Sequence, residues 1–214
     1  WAGWQHRINE HTRISYQLYA VRPRFEVPGP LPKSMALEDP KRTIPRVQAD
    51  RPQRSSDYLR GGISLQQQSA DGTIALSVFG VYHADDFRQL LPNGITQSNS
   101  REAGLTLDLV RENAVIWEGE THFRLYLQAA RGNSQRFTTV GGQPGDIIGD
   151  NDLRPATLNA RLAQQWTLNE RHQFEMGMGL LAARRAIREN FSGRPTTALS
   201  DSDAKLMPFL GWTY

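Results

Sequence analysis

Apolar and polar residues alternate with a period of two along most of the chain, and the clearest instance lies between Ala156 and Ala183. Leu158, Ala160, Leu162, Trp166 and Leu168 share one parity, while Thr157, Asn159, Arg161, Gln165 and Thr167 share the other. After a polar joint at Asn169, Glu170 and Arg171, Phe174, Met176, Met178, Leu180 and Ala182 alternate with Gln173, Glu175, Gly177 and Gly179. Two half-apolar strands around a tight joint predict a β-hairpin. A helix competes, because Leu158, Leu162 and Trp166 also fit a spacing of four and the stretch 180–188 is rich in helix formers. Gly177 and Gly179 count against it.

The alternation recurs in Ile14, Tyr16, Leu18 and Ala20, in Leu59, Ile63 and Leu65, and in Ile74, Leu76 and Val78. It returns in Leu105, Leu107 and Leu109, in Phe123, Leu125, Leu127 and Ala129, and in Leu206, Leu210, Trp212 and Tyr214. About nine strands follow, within an expected range of roughly eight to ten. Short joints at 7–11, 70–72, 111–113 and 169–171 alternate with long loops expected at about 27–57, 84–100, 131–154 and 185–204. Asp71-Gly72 is a favoured hairpin pair. The first long loop carries Pro28, Pro30, Pro32, Pro40, Pro45 and Pro52, each without an N–H for a β-ladder, so irregular backbone is expected there.

Brief turns at one end and long loops at the other are the connectivity of an outer-membrane β-barrel. The expected fold is therefore all-β: residues 1–214 as one antiparallel meander curved as in a transmembrane barrel. Leu76, Leu107, Leu125, Leu162 and Met176 would face lipid, while Arg13, Arg60, Arg124, Arg161, Asp108 and Glu175 would face the lumen. Trp4, Trp117 and Trp166 lie within a few residues of a short joint, and Trp212 sits where the next joint would fall, as expected of a girdle at the headgroup level. A soluble β-sandwich would also alternate. It has less need of loops of ~15 to 30 residues at one end only, since most loops run ~4 to 6.

Composition narrows the picture without overturning it. Hydrophobic residues make up 38% of the 214 residues, mean hydropathy is −0.56, and no segment approaches the ~20 consecutive apolar residues of a membrane-spanning helix. The absence of cysteine removes disulfides and thiolate metal sites. A formal charge of +3 is too small a bias to point to nucleic acid. The chain opens at Trp1 without a signal-like segment, as a processed protein or a piece of a longer one would.

Three stretches carry a family resemblance. The joint Trp166-Thr167-Leu168-Asn169-Glu170-Arg171-His172 is similar to the periplasmic turns of TonB-dependent outer-membrane receptors. Asn151, Leu153, Arg154 and Pro155 match that family's Asn-Pro-x-Leu-Lys-Pro-Glu stretch at a strand entrance, with Ala156 standing where the pattern has its acid. The passage from Gly94 into Glu102-Ala103-Gly104-Leu105 is similar in style. The resemblance implies part of a receptor barrel in the cell outer membrane, taking up a nutrient such as a ferric siderophore. Such receptors close 22 strands around a plug domain and reach TonB through it; about nine strands without a plug imply an incomplete, open barrel. The alternatives are a complete barrel of eight or ten strands serving as scaffold, adhesin or lipid-modifying enzyme, and a soluble β-sheet binding domain. Tyr214, a terminal aromatic, is similar to the C-terminal signal of complete barrels.

Candidate chemistry is sparse. His83 and Ser77 share a parity and His122 lies on a polar face, but nothing orders them into a triad, so no catalytic residue and no enzymatic activity is expected. Asp146, Asp150, Asn151 and Asp152 offer hard oxygen ligands without the spacing of a calcium loop, leaving a metal site undetermined. Gly141-Gly142 precedes no helix and is no phosphate loop, so no cofactor is expected. Lys33, Lys41, Arg42, Arg46, Arg51 and Arg54 outnumber Glu38, Asp39, Asp50 and Asp57 in the first long loop. A mildly basic external loop suits lipopolysaccharide phosphates or an anionic iron chelate, against the plainer account of a solvated loop.

Overall fold

The computed structural model describes residues 1–27, 33–41, 52–89, 94–112, 119–140, 142–169 and 172–213. They form ten strands and a six-residue helix: β1 (Ala2–Arg7), β2 (Thr12–Val21), β3 (Arg24–Glu26), α1 (Lys33–Glu38), β4 (Gln53–Ser69), β5 (Gly72–Arg88), β6 (Ile95–Glu112), β7 (Glu120–Val140), β8 (Gln143–Asn169), β9 (His172–Phe191) and β10 (Thr197–Thr213). All ten strands lie in one antiparallel sheet of order β1-β2-β4-β5-β6-β7-β8-β9-β10, with the short β3 paired to β4. The meander is the expected one, and the 156–183 hairpin is a strand pair, not a helix. The joint residues Glu170 and Arg171 lie outside the described residues, as do Trp117 and Tyr214.

Register aligns like residues into rows that run across the sheet. Ile14, Leu65, Leu76, Leu107, Leu125, Ala160, Leu180 and Leu206 are successive cross-strand partners. One residue along each strand, Ser15, Ser64, Ser77, Thr106, Tyr126 and Asn159 form the neighbouring row, on the opposite face. Because side chains alternate across a strand, these rows define a leucine face and a serine face. Leu162 and Met176 fall on the leucine face, and Arg13, Arg60, Arg124, Arg161, Asp108 and Glu175 on the serine face, as their parity predicts.

The sheet is a single layer. Ile95, Ala163 and Trp166 are its buried hydrophobic residues, whereas Leu162, Met176 and Leu210 remain 52%, 47% and 73% exposed. A soluble domain covers such a face with a second layer, and no other described element packs on this one.

Three central strands measure the apolar band directly. On β6, Arg101 and Arg111 bracket Ala103, Leu105, Leu107 and Leu109; on β7, Arg131 and Thr121 bracket Phe123, Leu125, Leu127 and Ala129. On β8, Arg154 and Gln164 bracket Ala156, Leu158, Ala160 and Leu162. Each bracket spans ten residues, about 33 Å along a strand, which at a tilt of ~40° projects to about 25 Å, the height of a hydrocarbon-facing band. The band also drifts across the sheet. Trp4 shares a row with Leu127 and Ala204, yet the aromatic end of the band on β10 is Trp212, eight residues beyond Ala204. Such a drift is the stagger of strands tilted against a level boundary.

The expected long loops require correction. Strand pairing runs through most of 84–100, 131–154 and 185–204: β5 continues to Arg88, β6 starts at Ile95, β7 reaches Val140, β8 starts at Gln143, β9 reaches Phe191 and β10 starts at Thr197. The alternation is missing there because the leucine face itself turns polar, through Asp57, Ala84, Asn99, Asn133, Asp152 and Arg188 in one row. With both faces wet, period two leaves no hydropathy signal although the backbone ladder persists. Asp150-Asn151-Asp152-Leu153-Arg154-Pro155 accordingly lies inside β8, not before a strand. The β7 ladder skips from Ala129↔Ala156 to Gly132↔Leu153, where Pro155 has no N–H to donate. In the segment 27–57, β3 borders the start, α1 and the start of β4 lie within, and 28–32 and 42–51 fall outside the described residues. Those ranges include Pro28, Pro30, Pro32, Pro45, Arg42, Arg46, Arg51 and Asp50.

The sheet is open: among the described residues β1 pairs only with β2, and β10 only with β9. At the β4–β5 turn Gly72 has φ 142°, and a Cβ there would meet the Val110 carbonyl oxygen at 2.0 Å, so the turn requires glycine.

Candidate functional site

The serine face carries the polar and aromatic chemistry. A cavity of about 910 Å³ opens on it across β2, β4, β5, β6 and β7. Tyr19, Tyr58 and His83 form one side: Tyr58 meets Tyr19 edge-on at 5.7 Å between ring centroids and His83 at 6.2 Å. Ser56 Oγ lies 2.8 Å from His83 Nε2. Arg60, Phe79 and Tyr126 form the other. Phe79 stacks with Tyr126 at 6.4 Å, and the Arg60 guanidinium sits over the Phe79 ring at 5.4 Å. Glycine makes room for this layer, since a Cβ at Gly104 would strike the Phe79 ring at 2.3 Å. Between the two groups the Ser77 hydroxyl donates to Ser64 Oγ at 2.9 Å.

The arrangement offers phenol and serine hydroxyls, one guanidinium and flat rings on a wall of fixed register. Those groups suit contact with an anionic or aromatic solute from water, by donation from Arg60 and the phenols and by stacking on the rings. Nearer the short turns the same face is ionic. Asp108 and Arg124 pair across β6 and β7, and Arg161 binds Glu175 at 2.9 Å while lying over the Phe209 ring at 4.4 Å. Satisfied pairs of this kind keep charge on a wetted wall.

The residues singled out by sequence are dispersed. His83 and Ser77 share the serine face, but His83 bonds Ser56 instead, and among the described residues no carboxylate bonds His83. His122 lies on β7 beside Glu120, at 3.1 Å. Asp150 accepts from the Asn133 amide at 2.9 Å, Asp152 is bound by Arg154 at 2.6 Å, and Asp146 makes backbone contacts with Thr138. Among the described residues no three potential metal-ligating side chains converge. Gly141 lies outside the described residues. Sequence reading passed over Tyr19, Ser56, Tyr58 and Phe79; an aromatic on the polar parity, as at Tyr58, Phe79 and Tyr126, was the available signal.

Aromatic residues on the leucine face gather toward the short turns. Trp166 stacks on Phe174 at 5.5 Å and Phe174 meets Trp212 edge-on at 6.4 Å; across the sheet Trp4 lies 5.6 Å from Tyr16.

A single-layer antiparallel meander with one apolar and one polar face is the wall of an outer-membrane type β-barrel, here open. Two solved structures share that fold. The ferric yersiniabactin uptake receptor FyuA from Yersinia pestis matches with a TM-score of 0.68 over 94% of this chain, at 13% identity. The ferric citrate transporter FecA matches with a TM-score of 0.73 over 97% of this chain, at 12% identity. The chain spans about a third of their length, covering 32% of each. No protein-family model matches the sequence, and no curated protein matches it.

Proposed function

We propose that these strands form part of the wall of an outer-membrane receptor that takes up a scarce nutrient such as a ferric siderophore. The observation that supports it most is the leucine face: a register-aligned apolar band about 25 Å high that no described element covers. Lipid is the solvent that suits such a face, and the serine face then lines an aqueous interior. The fold shared with two iron-chelate transporters supports the cargo class. The cavity around Tyr58, Arg60 and Phe79 would meet solute or plug from inside, and contact with TonB would belong to a plug domain, not to these strands. The reading assigns no catalytic group.

The test uses the gene in its own host. The protein should fractionate with the outer membrane and migrate heat-modifiably, and its deletion should abolish iron-limited growth on at least one ferric chelate. A protein that stays monodisperse without detergent, or a deletion strain that grows normally on every ferric chelate supplied, would overturn the proposal.

A further inference from the structure

The upper edge of the apolar band is marked by arginine on four consecutive strands: Arg101 on β6, Arg131 on β7, Arg154 on β8 and Arg184 on β9. All four project from the leucine face. Arg101 and Arg131 are direct cross-strand partners, and Arg184 is the partner of Ala156, one pleat from Arg154. Four guanidinium groups therefore spread over three strand spacings, about 15 Å. The charge is cancelled only in part, since one carboxylate, Asp152, serves two of the four arginines and Asp203, beside the depression below, pairs with Lys205. Asp152 binds Arg154 at 2.6 Å and approaches Arg131 at 3.5 Å, whereas Arg101 and Arg184 form no ion pair among the described residues. All four are exposed.

Directly below this row lies a shallow apolar depression of about 760 Å³, with Arg184 on its rim and Leu105, Leu127, Leu158 and Ala129 among its walls. Cationic forks above an apolar trough match an amphiphile with an anionic head and acyl chains. The arginines sit about 25 Å from the opposite polar edge, at the level of a bilayer's headgroups. Planar, permanently charged guanidinium favours phosphate, which it binds with two parallel N–H donors.

We propose that this patch is a binding site for a phosphorylated lipid of the surrounding leaflet, its phosphates on Arg101, Arg131 and Arg184 and an acyl chain along Leu105 and Leu127. The proposal rests on the outward, lipid-facing orientation of the leucine face given above. The site faces away from the cavity around Tyr58 and is independent of any transported solute.

The test reconstitutes the full-length protein carrying these strands into phosphatidylcholine vesicles containing a minor fraction of diphosphoryl lipid A, or of the same lipid with its phosphates removed. Lipid retained after mild detergent extraction is counted by mass spectrometry. Diphosphoryl lipid A should be enriched over phosphatidylcholine about tenfold or more, and combined Arg101→Gln, Arg131→Gln and Arg184→Gln substitution should remove most of that enrichment. Lys205→Gln, on the serine face, should leave it unchanged. Equal retention of the dephosphorylated lipid, or full enrichment in the triple variant, would overturn the proposal. Displacement by inorganic phosphate would also overturn it, in favour of a soluble-anion site. Should the triple variant fail to fold, the dephosphorylated-lipid comparison on the unaltered protein decides alone. Failure of the unaltered protein to insert, read from absent heat-modifiable migration, would refute the membrane reading itself, whereas insertion without headgroup preference refutes only this site.

Discussion

The row Leu76, Leu107, Leu125 and the row Ala84, Asn99, Asn133 lie eight residues apart on the same three strands and the same face of the sheet. Their backbones pair alike, in unbroken register from Gly72↔Arg111 to Arg88↔Ile95. Only the side chains differ. The backbone hydrogen bonds of a ladder form whatever the side chains are, so pairing continues wherever a neighbouring strand is present. Side-chain polarity instead follows the solvent each row meets. Hydropathy alternation is thus a record of surroundings, laid over a strand that extends beyond it.

Charge insertion separates the two rows most sharply. Leu107→Arg should cost about 2 to 4 kcal/mol in lipid, whereas Asn99→Arg, exposed on the same face of the same strand, should stay within about 0.5 kcal/mol. Denaturant titration of refolding into vesicles measures both, and equal costs would mean that the leucine face does not meet lipid.

Turns at the two ends of the strands differ next. Gly72→Ala should destabilise by about 2 to 3 kcal/mol, because its φ of 142° is strained for an L residue and its Cβ would collide with the Val110 carbonyl. Gly193, at the opposite end, has φ 76° and open space where a Cβ would stand, so Gly193→Ala should cost only the conformational term, about 1 kcal/mol. Equal losses in urea titrations would show that neither backbone shape governs its turn.

On the serine face, Arg161→Ala removes a half-exposed ion pair to Glu175 and the cover of Phe209. The expected loss is about 1 kcal/mol, and Arg161→Lys should recover less than the full pair, since lysine lacks the planar fork. Full recovery by lysine would show that charge alone matters there.

The smallest effect is pH-dependent. The Arg154 hydrogen bond is the main cause holding the Asp152 carboxyl below its ordinary 3.8, with the nearby charges of Arg154 and Arg131 acting in the same direction against partial burial. A lowered folded value means that the contribution is present above 3.8 and fades as pH falls through the lowered value. Asp152→Asn should therefore be slightly less stable than the unaltered protein near neutral pH and indistinguishable from it in strong acid. A gap that persists or widens in acid would contradict that sign.

Strand identity, hairpin pairing and the two faces could be read from the chain because period-two burial acts on single residues: Leu76, Leu107 and Leu125 announce a face before any partner is known. The extent of β5 to β10 could not, since Asn99, Asn133 and Asp152 look like loop residues until a neighbouring ladder holds them. Ser56 could not be matched with His83 either, because 27 residues separate them and only the β4–β5 register makes them neighbours. The arginine edge is the same kind of fact. Arg101, Arg131, Arg154 and Arg184 are scattered charges in sequence, and they become one boundary only when strand register stacks them on a common face. Local alternation encodes which side of a strand is wet, while cross-strand register, a non-local property, decides which distant side chains share a surface.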